Sequence, residues 1–199
     1  MEEPDKEFSL DSPKQKGLSR RPLAERMRSR SIDEVLGQEH ILGEGCLLPN
    51  LIRENRVSNL ILAGPPGSGK TTLANVIASE GKGKLLRINA VTSNAAELRD
   101  TLKLARYYGS ENCFLFVDEL HRFNKAQQDL LLPDVESGDV RLIGATTHNP
   151  RYYIIDPLLS RCQLLTLEPL PEAVIESALH LALKDTVRGL GTRNCSAKK

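Results

Sequence analysis

A lysine and a threonine close a glycine-rich turn in this 199-residue chain, and two adjacent carboxylates close an apolar run further on. The first set is Gly64-Pro65-Pro66-Gly67-Ser68-Gly69-Lys70-Thr71, which fits the pattern GxxxxGK[ST] and is followed by Thr72. Glycines let such a loop wrap until its backbone N–H groups converge on phosphate oxygens. Lys70 then adds a point charge at the β- and γ-phosphates, and the Thr71 hydroxyl ligates Mg2+. The second set is Phe114-Leu115-Phe116-Val117-Asp118-Glu119. Asp118 is expected to hold the Mg2+, directly or through water. Glu119, one residue on, points elsewhere and can orient and deprotonate an attacking water. The pair favours hydrolysis over transfer to another substrate. A third run, Leu142-Ile143-Gly144-Ala145-Thr146-Thr147, ends in two hydroxyls; Thr147 is expected to contact the γ-phosphate, with Thr146 as the alternative. ATP is the expected nucleotide. No GxGxxG fingerprint of a dinucleotide site follows the first strand. Asn124-Lys125-Ala126-Gln127 begins like a guanine-recognition motif but ends in Gln where that motif has Asp.

These groups need elements to hold them. Short apolar runs occur at 59–63, 84–89, 113–118, 140–145 and 163–167, several of them apolar on consecutive positions. That pattern predicts strands buried on both faces of a parallel sheet. Between them, residues 70–80, 95–107 and 121–132 are rich in Leu, Ala and Gln and read as helices. The alternation predicts right-handed βαβ units and a doubly wound, five-stranded parallel α/β fold of the P-loop NTPase class. Ligands of such open sheets sit at the C-terminal ends of the strands, where Asp118 and Glu119 fall.

Composition excludes other classes. Hydrophobic residues make up 40% and charged residues 27%, an ordinary globular balance, and the net charge of +1 carries no argument for a nucleic-acid or membrane partner. The charge is segregated near the N-terminus. Glu2, Glu3, Asp5, Glu7 and Asp11 face only Lys6, and then Lys14, Lys16, Arg20, Arg21, Arg26, Arg28 and Arg30 face only Glu25. Residues 1–20 are polar and aperiodic and are expected to lack fixed structure. Cys46, Cys113, Cys162 and Cys195 form no CxxC pair, which argues against a zinc knuckle or disulfide framework, and the four histidines show no metal-binding spacing. No apolar stretch approaches a membrane span, and no secretory signal is expected from the opening residues MEEPDKEF. A cytoplasmic, nucleoid-associated protein is expected, nuclear in a eukaryote. The eight aromatics include no Trp and form no basic stacking stripe. Arg122 and Lys125 suit either a pore-facing pair or an exposed helix face.

Taken together, RPLAERMRSRSIDEVLGQEHILGEG, GPPGSGKTTLA, FVDELHRFNKAQQD, LIGATTHNP and LLSRC resemble the RarA family of AAA+ ATPases. That family includes the bacterial MgsA proteins and the Werner-helicase-interacting ATPases, and is kin to clamp loaders and the RuvB motor. The resemblance runs over about residues 21–170, and HRFNKAQQD is its most family-specific stretch; a RuvB-like branch migration motor would share GATT but not HRFNKAQQD. It implies a DNA-dependent ATPase acting in replication-fork maintenance, recombination and repair. The implied partners are ATP and ADP, DNA, further copies of the chain, and replication or helicase proteins. Arg161 matches the arginine finger that reaches a neighbouring subunit. Residues 22–27, with Val35, Leu36 and Gln38, match the stretch around adenine, and Asn89 matches a polar residue that restrains the catalytic glutamate. Residues 171–185, with Ile175, Leu179 and Leu183 at helical spacing, resemble the first helix of the AAA+ lid, followed by a polar tail to 199. The remaining lid with its sensor-2 arginine, the assembly helices and a zinc finger are not expected in this sequence. That leaves two expectations: an ATPase remodelling DNA intermediates, or a catalytically weak nucleotide-binding module, as a fragment or as partner to full-length subunits.

Overall fold

The computed structural model describes residues 21–111 and 113–191. The tail expected over 1–20, the end of the polar tail (192–199) and Cys195 lie outside the described residues. Five strands form one sheet: β1 (Leu60–Ala63), β2 (Lys84–Asn89), β3 (Cys113–Asp118), β4 (Arg141–Thr146) and β5 (Gln163–Thr166). All pairings are parallel, in the order β2-β3-β4-β1-β5.

The consecutive apolar positions of these strands serve two separate cores. Leu60, Leu62, Phe114, Phe116, Ile143 and Ala145 enter one. Ile61, Cys113, Leu115, Val117 and Leu142 enter the other. This is the period-2 alternation of a sheet covered on both faces. Each fully buried large apolar side chain of this kind contributes about 1.5–3 kcal/mol relative to exposure. Helix α4 (Lys70–Glu80) packs Leu73, Ala74 and Ile77 into the first core. Helix α5 (Ala95–Tyr108) packs Leu98, Leu102 and Ala105 into the second, on the i, i+4, i+7 stripe of a single helix face. Asn94 caps α5 by accepting from the N–H groups of Ala96 and Glu97. Ahead of the sheet lie α1 (Leu23–Arg26), α2 (Glu39–Leu42) and α3 (Leu47–Arg53).

The single helix expected over 121–132 is three pieces. A 3-10 turn (Leu120–Arg122) is followed by α6 (Lys125–Asp129) and α7 (Leu132–Ser137). Glu119 opens the segment in a left-handed conformation (φ 53°) and Phe123 is extended. Asn124 then starts a new helix with a capping box: its side chain accepts from Gln127 N–H, and the Gln127 side chain accepts from Asn124 N–H. Pro133 falls in the first turn of α7, where its missing N–H costs nothing; inside a continuous helix it would break the ladder. Buried Asp134 of α7 pairs with Arg106 of α5. After β4 come α8 (Pro150–Tyr153) and α9 (Asp156–Leu159).

Residues 29–174 form one compact unit and hold the whole sheet; the described residues of 1–28 and 175–199 form another. In the latter, most of α10 (Glu172–Lys184) ends in a turn where Asp185 accepts from the N–H groups of Val187 and Arg188, and Arg26 donates to Gly189 O at 3.3 Å. Ile175, Leu179 and Leu183 on α10 are exposed.

Candidate functional site

The glycine-rich loop leaves β1 at the C-terminal edge of the sheet. Gly64 N–H donates to Thr146 O at 3.1 Å, stitching the loop's start to the end of β4. A Cβ on Gly64 would stand 2.5 Å from Leu167 O, so only glycine fits there. Gly67 and Gly69 have open space around them but adopt φ of 78° and 99°, the left-handed region that favours glycine. Gly69 ends the loop and α4 begins at Lys70 without a side-chain cap, so the first N–H groups of this helix have no partner from a capping side chain. Ser68 is buried, and its Oγ has no hydrogen-bond partner. The Lys70 ammonium lies across the loop, donating to Gly64 O at 2.7 Å and Pro65 O at 2.8 Å. Burial lowers its pKa, and the charges of Glu119 and Asp118 act in the opposite direction. An orphaned hydroxyl, a buried cation and an uncapped helix start thus fall together within residues 64–72, a combination that suits an anion.

Asp118 ends β3, and its Oδ1 accepts from Glu119 N–H at 3.1 Å. The left-handed turn at Glu119, a conformation that costs a non-glycine residue about 1–2 kcal/mol, sends the two carboxylates apart. Glu119 Oε2 accepts from Thr147 Oγ1 at 3.2 Å and lies 3.2 Å from His121 Nδ1. Thr146 is fully buried, and its Oγ1 accepts from His148 N–H at 3.1 Å and lies 3.1 Å from His121 Nδ1. Lys70, Asp118, Glu119 and Thr147 therefore meet at one sheet edge, beside residues 64–72.

Five expected residues stand elsewhere or are otherwise engaged. Gln38 is buried at φ 62°, and its amide is fully used: Nε2 donates to Ser68 O and Glu168 O, at 3.1 and 2.7 Å, and Oε1 accepts from Glu168 N–H at 3.0 Å. It ties the loop to the chain beyond β5. Val35 lines a cavity of about 230 Å³ with Ile32, Gly37, Leu42 and Pro49, and Leu36 is half-buried next to it in sequence. Asn89 Oδ1 accepts from Val91 N–H at 2.8 Å, within its own turn. Arg161 precedes β5, which runs parallel to β1 with Leu60 opposite Gln163. It therefore lies at the opposite edge of the sheet from the loop, about 13 Å away along a four-residue strand. Its guanidinium pairs with Glu136 at 2.7 Å and donates to Pro157 O and Ser160 Oγ.

Sequence reasoning missed His121, His148, Tyr153 and Gln128 as parts of the site. The His121 side chain is 4% exposed; its ring lies 4.2 Å from that of His148 and 5.9 Å from that of Tyr153. Burial lowers the His121 pKa, with Glu119 opposing that shift. Gln128, also buried, donates to Phe123 O and Tyr153 O, both at 2.9 Å, and accepts from Ile155 N–H at 3.0 Å. HRFNKAQQD is thus a structural bracket: His121 touches the carboxylate, Asn124 and Gln127 start a helix, and Gln128 clamps it to α8. Arg122 and Lys125 are exposed. Among the described residues there is no cluster of three or more His, Cys, Asp or Glu that could hold a metal by itself, and no helix long and apolar enough to cross a membrane.

The sequence pattern of the AAA family (ATPase family associated with various cellular activities) matches residues 60–170. The chain is similar to replication-associated recombination protein A of Haemophilus influenzae, 45% identical over 172 residues, which cover 85% of this chain and 39% of that protein. The Escherichia coli K12 protein of the same name is also 45% identical, over 85% of this chain and 38% of its own length. The ATPase WRNIP1 of Dictyostelium discoideum is 39% identical over 83% of this chain and 19% of its length. Among solved structures, the RuvB Holliday junction branch migration motor of Thermotoga maritima superposes with a TM-score of 0.65 at 30% identity, over 80% of this chain and 54% of that one. The expected resemblance to the RarA family and the expected fold are both borne out. The chain spans about two fifths of the length of the RarA relatives it matches.

Proposed function

The chain belongs to the AAA family of ATPases, and from that premise we propose that it binds and hydrolyses Mg-ATP in the service of replication-associated recombination and repair. The observation that carries this reading is the meeting of Lys70, Asp118, Glu119 and Thr147 beside an uncapped helix start. In this reading residues 21–170 are the ATPase core and residue 171 begins the helical lid. The backbone N–H groups of 64–72 and the Lys70 ammonium take the phosphates. An ammonium has three protons and Lys70 spends two on loop carbonyls, which leaves one for a phosphate oxygen. The Thr71 hydroxyl and the Asp118 carboxylate hold Mg2+, which when bound offsets charge on the phosphates. Glu119 takes the proton of the attacking water, and Thr147 contacts the γ-phosphate. Val35 and Leu36 form a wall for adenine, and Gln38 holds that wall to the loop through Ser68. Arg161 lies at the wrong edge to reach its own loop and serves a neighbouring copy. DNA stimulation, assembly with further copies and a place with the chromosome belong to the same reading, which the likeness to replication-associated recombination protein A supports.

The test is ATP turnover by the purified chain with and without single-stranded DNA, beside Glu119→Gln and Arg161→Ala, with Mg-ATP binding measured for Lys70→Ala. DNA-stimulated turnover lost in both active-site variants is expected. Mg-ATP binding that depends on Lys70, without turnover under any condition, would instead assign a nucleotide-binding module.

A further inference from the structure

We propose that His121 is the positioning residue for Glu119, donating from Nδ1–H to hold the carboxylate in the turn after β3; this rests on the reading of Glu119 as the base. His121 Nδ1 lies 3.2 Å from Glu119 Oε2 and 3.1 Å from Thr146 Oγ1. One tautomer suits both neighbours. The Thr146 hydroxyl accepts from His148 N–H and has His148 O at 3.3 Å to receive its own proton. With its proton placed there, Thr146 turns a lone pair toward the imidazole, as the carboxylate does. A bare Nδ1 would face lone pairs on both sides, whereas a protonated one donates to both. Burial favours the neutral ring, which aims the carboxylate without the full positive charge that would sharply weaken it as a base.

Packing fixes this ring rather than a surface rotamer choice. His148 and Tyr153 close around it, and Gln128 pins the Tyr153 carbonyl. The second donor to Glu119 Oε2 explains why such a residue is needed. Thr147 supplies one proton and cannot give it to Glu119 and to a γ-phosphate at once. When Thr147 turns to the phosphate, His121 is the donor that keeps Glu119 aimed.

Histidine-selective 15N labelling of the full chain decides the contact. Near neutral pH, His121 Nδ1 is expected at the chemical shift of a protonated ring nitrogen and is expected to move on Glu119→Gln. A bare Nδ1, or a shift that Glu119→Gln leaves in place, overturns the proposal whether or not the chain turns over ATP. In turnover assays His121→Ala lowers kcat on the order of 10²-fold with the KM for Mg-ATP unchanged. His121→Asn, whose amide N–H stands near the place of Nδ1–H, recovers most of that loss. Equal losses in both variants, or a loss carried by KM, mark a packing role and refute positioning. Full turnover in Glu119→Gln would sink the reading of Glu119 as the base instead, and the His121 shift would still decide the contact.

Discussion

Thr146 and Thr147 are neighbours with the same hydroxyl, yet the strand sets them to different work. Thr146 is the last residue of β4 and fully buried, with its oxygen engaged by His148 N–H and facing His121; Thr147 is half-buried beside the Glu119 carboxylate. Thr146→Val should leave a buried polar cluster short of an acceptor and cost about 1–3 kcal/mol, read as a lower denaturation midpoint with Mg-ATP affinity retained. Thr147→Val should leave the midpoint in place and lower kcat, while Thr147→Ser keeps activity. The reverse pattern would transfer the γ-phosphate contact to Thr146. The glycines divide in the same way. Gly64→Ala drives a methyl against Leu167 O, a backbone atom that cannot yield, and should cost about 1–3 kcal/mol of stability. Gly67→Ala meets no atom within 4 Å and suffers only its positive φ, about 1 kcal/mol, so its larger effect should fall on nucleotide affinity. Cys162 illustrates a pH effect: burial pushes its thiol up to about 12. Because the folded pKa exceeds the unfolded value, the unfolded chain ionises first, and this stabilisation is present below the unfolded pKa and lost as pH rises toward 12. Folded protein at mildly alkaline pH should therefore leave Cys162 unalkylated by iodoacetamide, as read by peptide mass spectrometry.

Helix α6 and the turn before it are a bracket whose stiffness comes from a few side-chain amides. Gln128 satisfies three backbone groups on two segments. Gln128→Ala would orphan them in a buried place and should cost about 3 kcal/mol in chemical denaturation. Asn124→Ala removes only the cap, a loss of about 1 kcal/mol. A smaller effect at Gln128 than at Asn124 would show that the clamp does not hold the bracket. These amides also mark where reading the sequence stopped. The strands were legible because Phe114, Leu115 and Phe116 are apolar on successive positions, which only a sheet covered on both faces satisfies. The phosphate loop was legible because its glycines, lysine and threonine sit in one contiguous run. The break at Phe123 and Asn124 was not, since Leu, Ala and Gln favour helix on either side and the capping box outweighs them locally. The contact of His121 with Glu119 depends on a left-handed turn and on Tyr153, thirty-odd residues away, and neither leaves a periodic signal.

At the scale of the whole molecule, the geometry of β1 and β5 separates Arg161, the proposed finger, from the loop of its own chain. The strands are parallel and in register, so the loop departs from one edge and Arg161 enters at the other. The ion pair that engages Arg161 is no obstacle to service in a neighbour. Both partners are more than a third exposed, and such a pair is worth about 0.2–1 kcal/mol. A finger is worth on the order of 10³–10⁵ in rate, or roughly 4–7 kcal/mol of barrier, so exchanging Glu136 for a neighbour's γ-phosphate is favoured. Two defective chains should then repair one another. Lys70→Ala keeps its finger but cannot hold the nucleotide, and Arg161→Ala holds the nucleotide but offers no finger. Each alone should be silent, and an equimolar mixture should regain part of the turnover of the unaltered chain, because Arg161→Ala sites receive the finger of Lys70→Ala neighbours. The regain should rise with total protein concentration and vanish on dilution, as an association requires. A mixture as silent as its components, under conditions where the unaltered chain turns over ATP, would place the finger's action within one chain and contradict the geometry of the sheet.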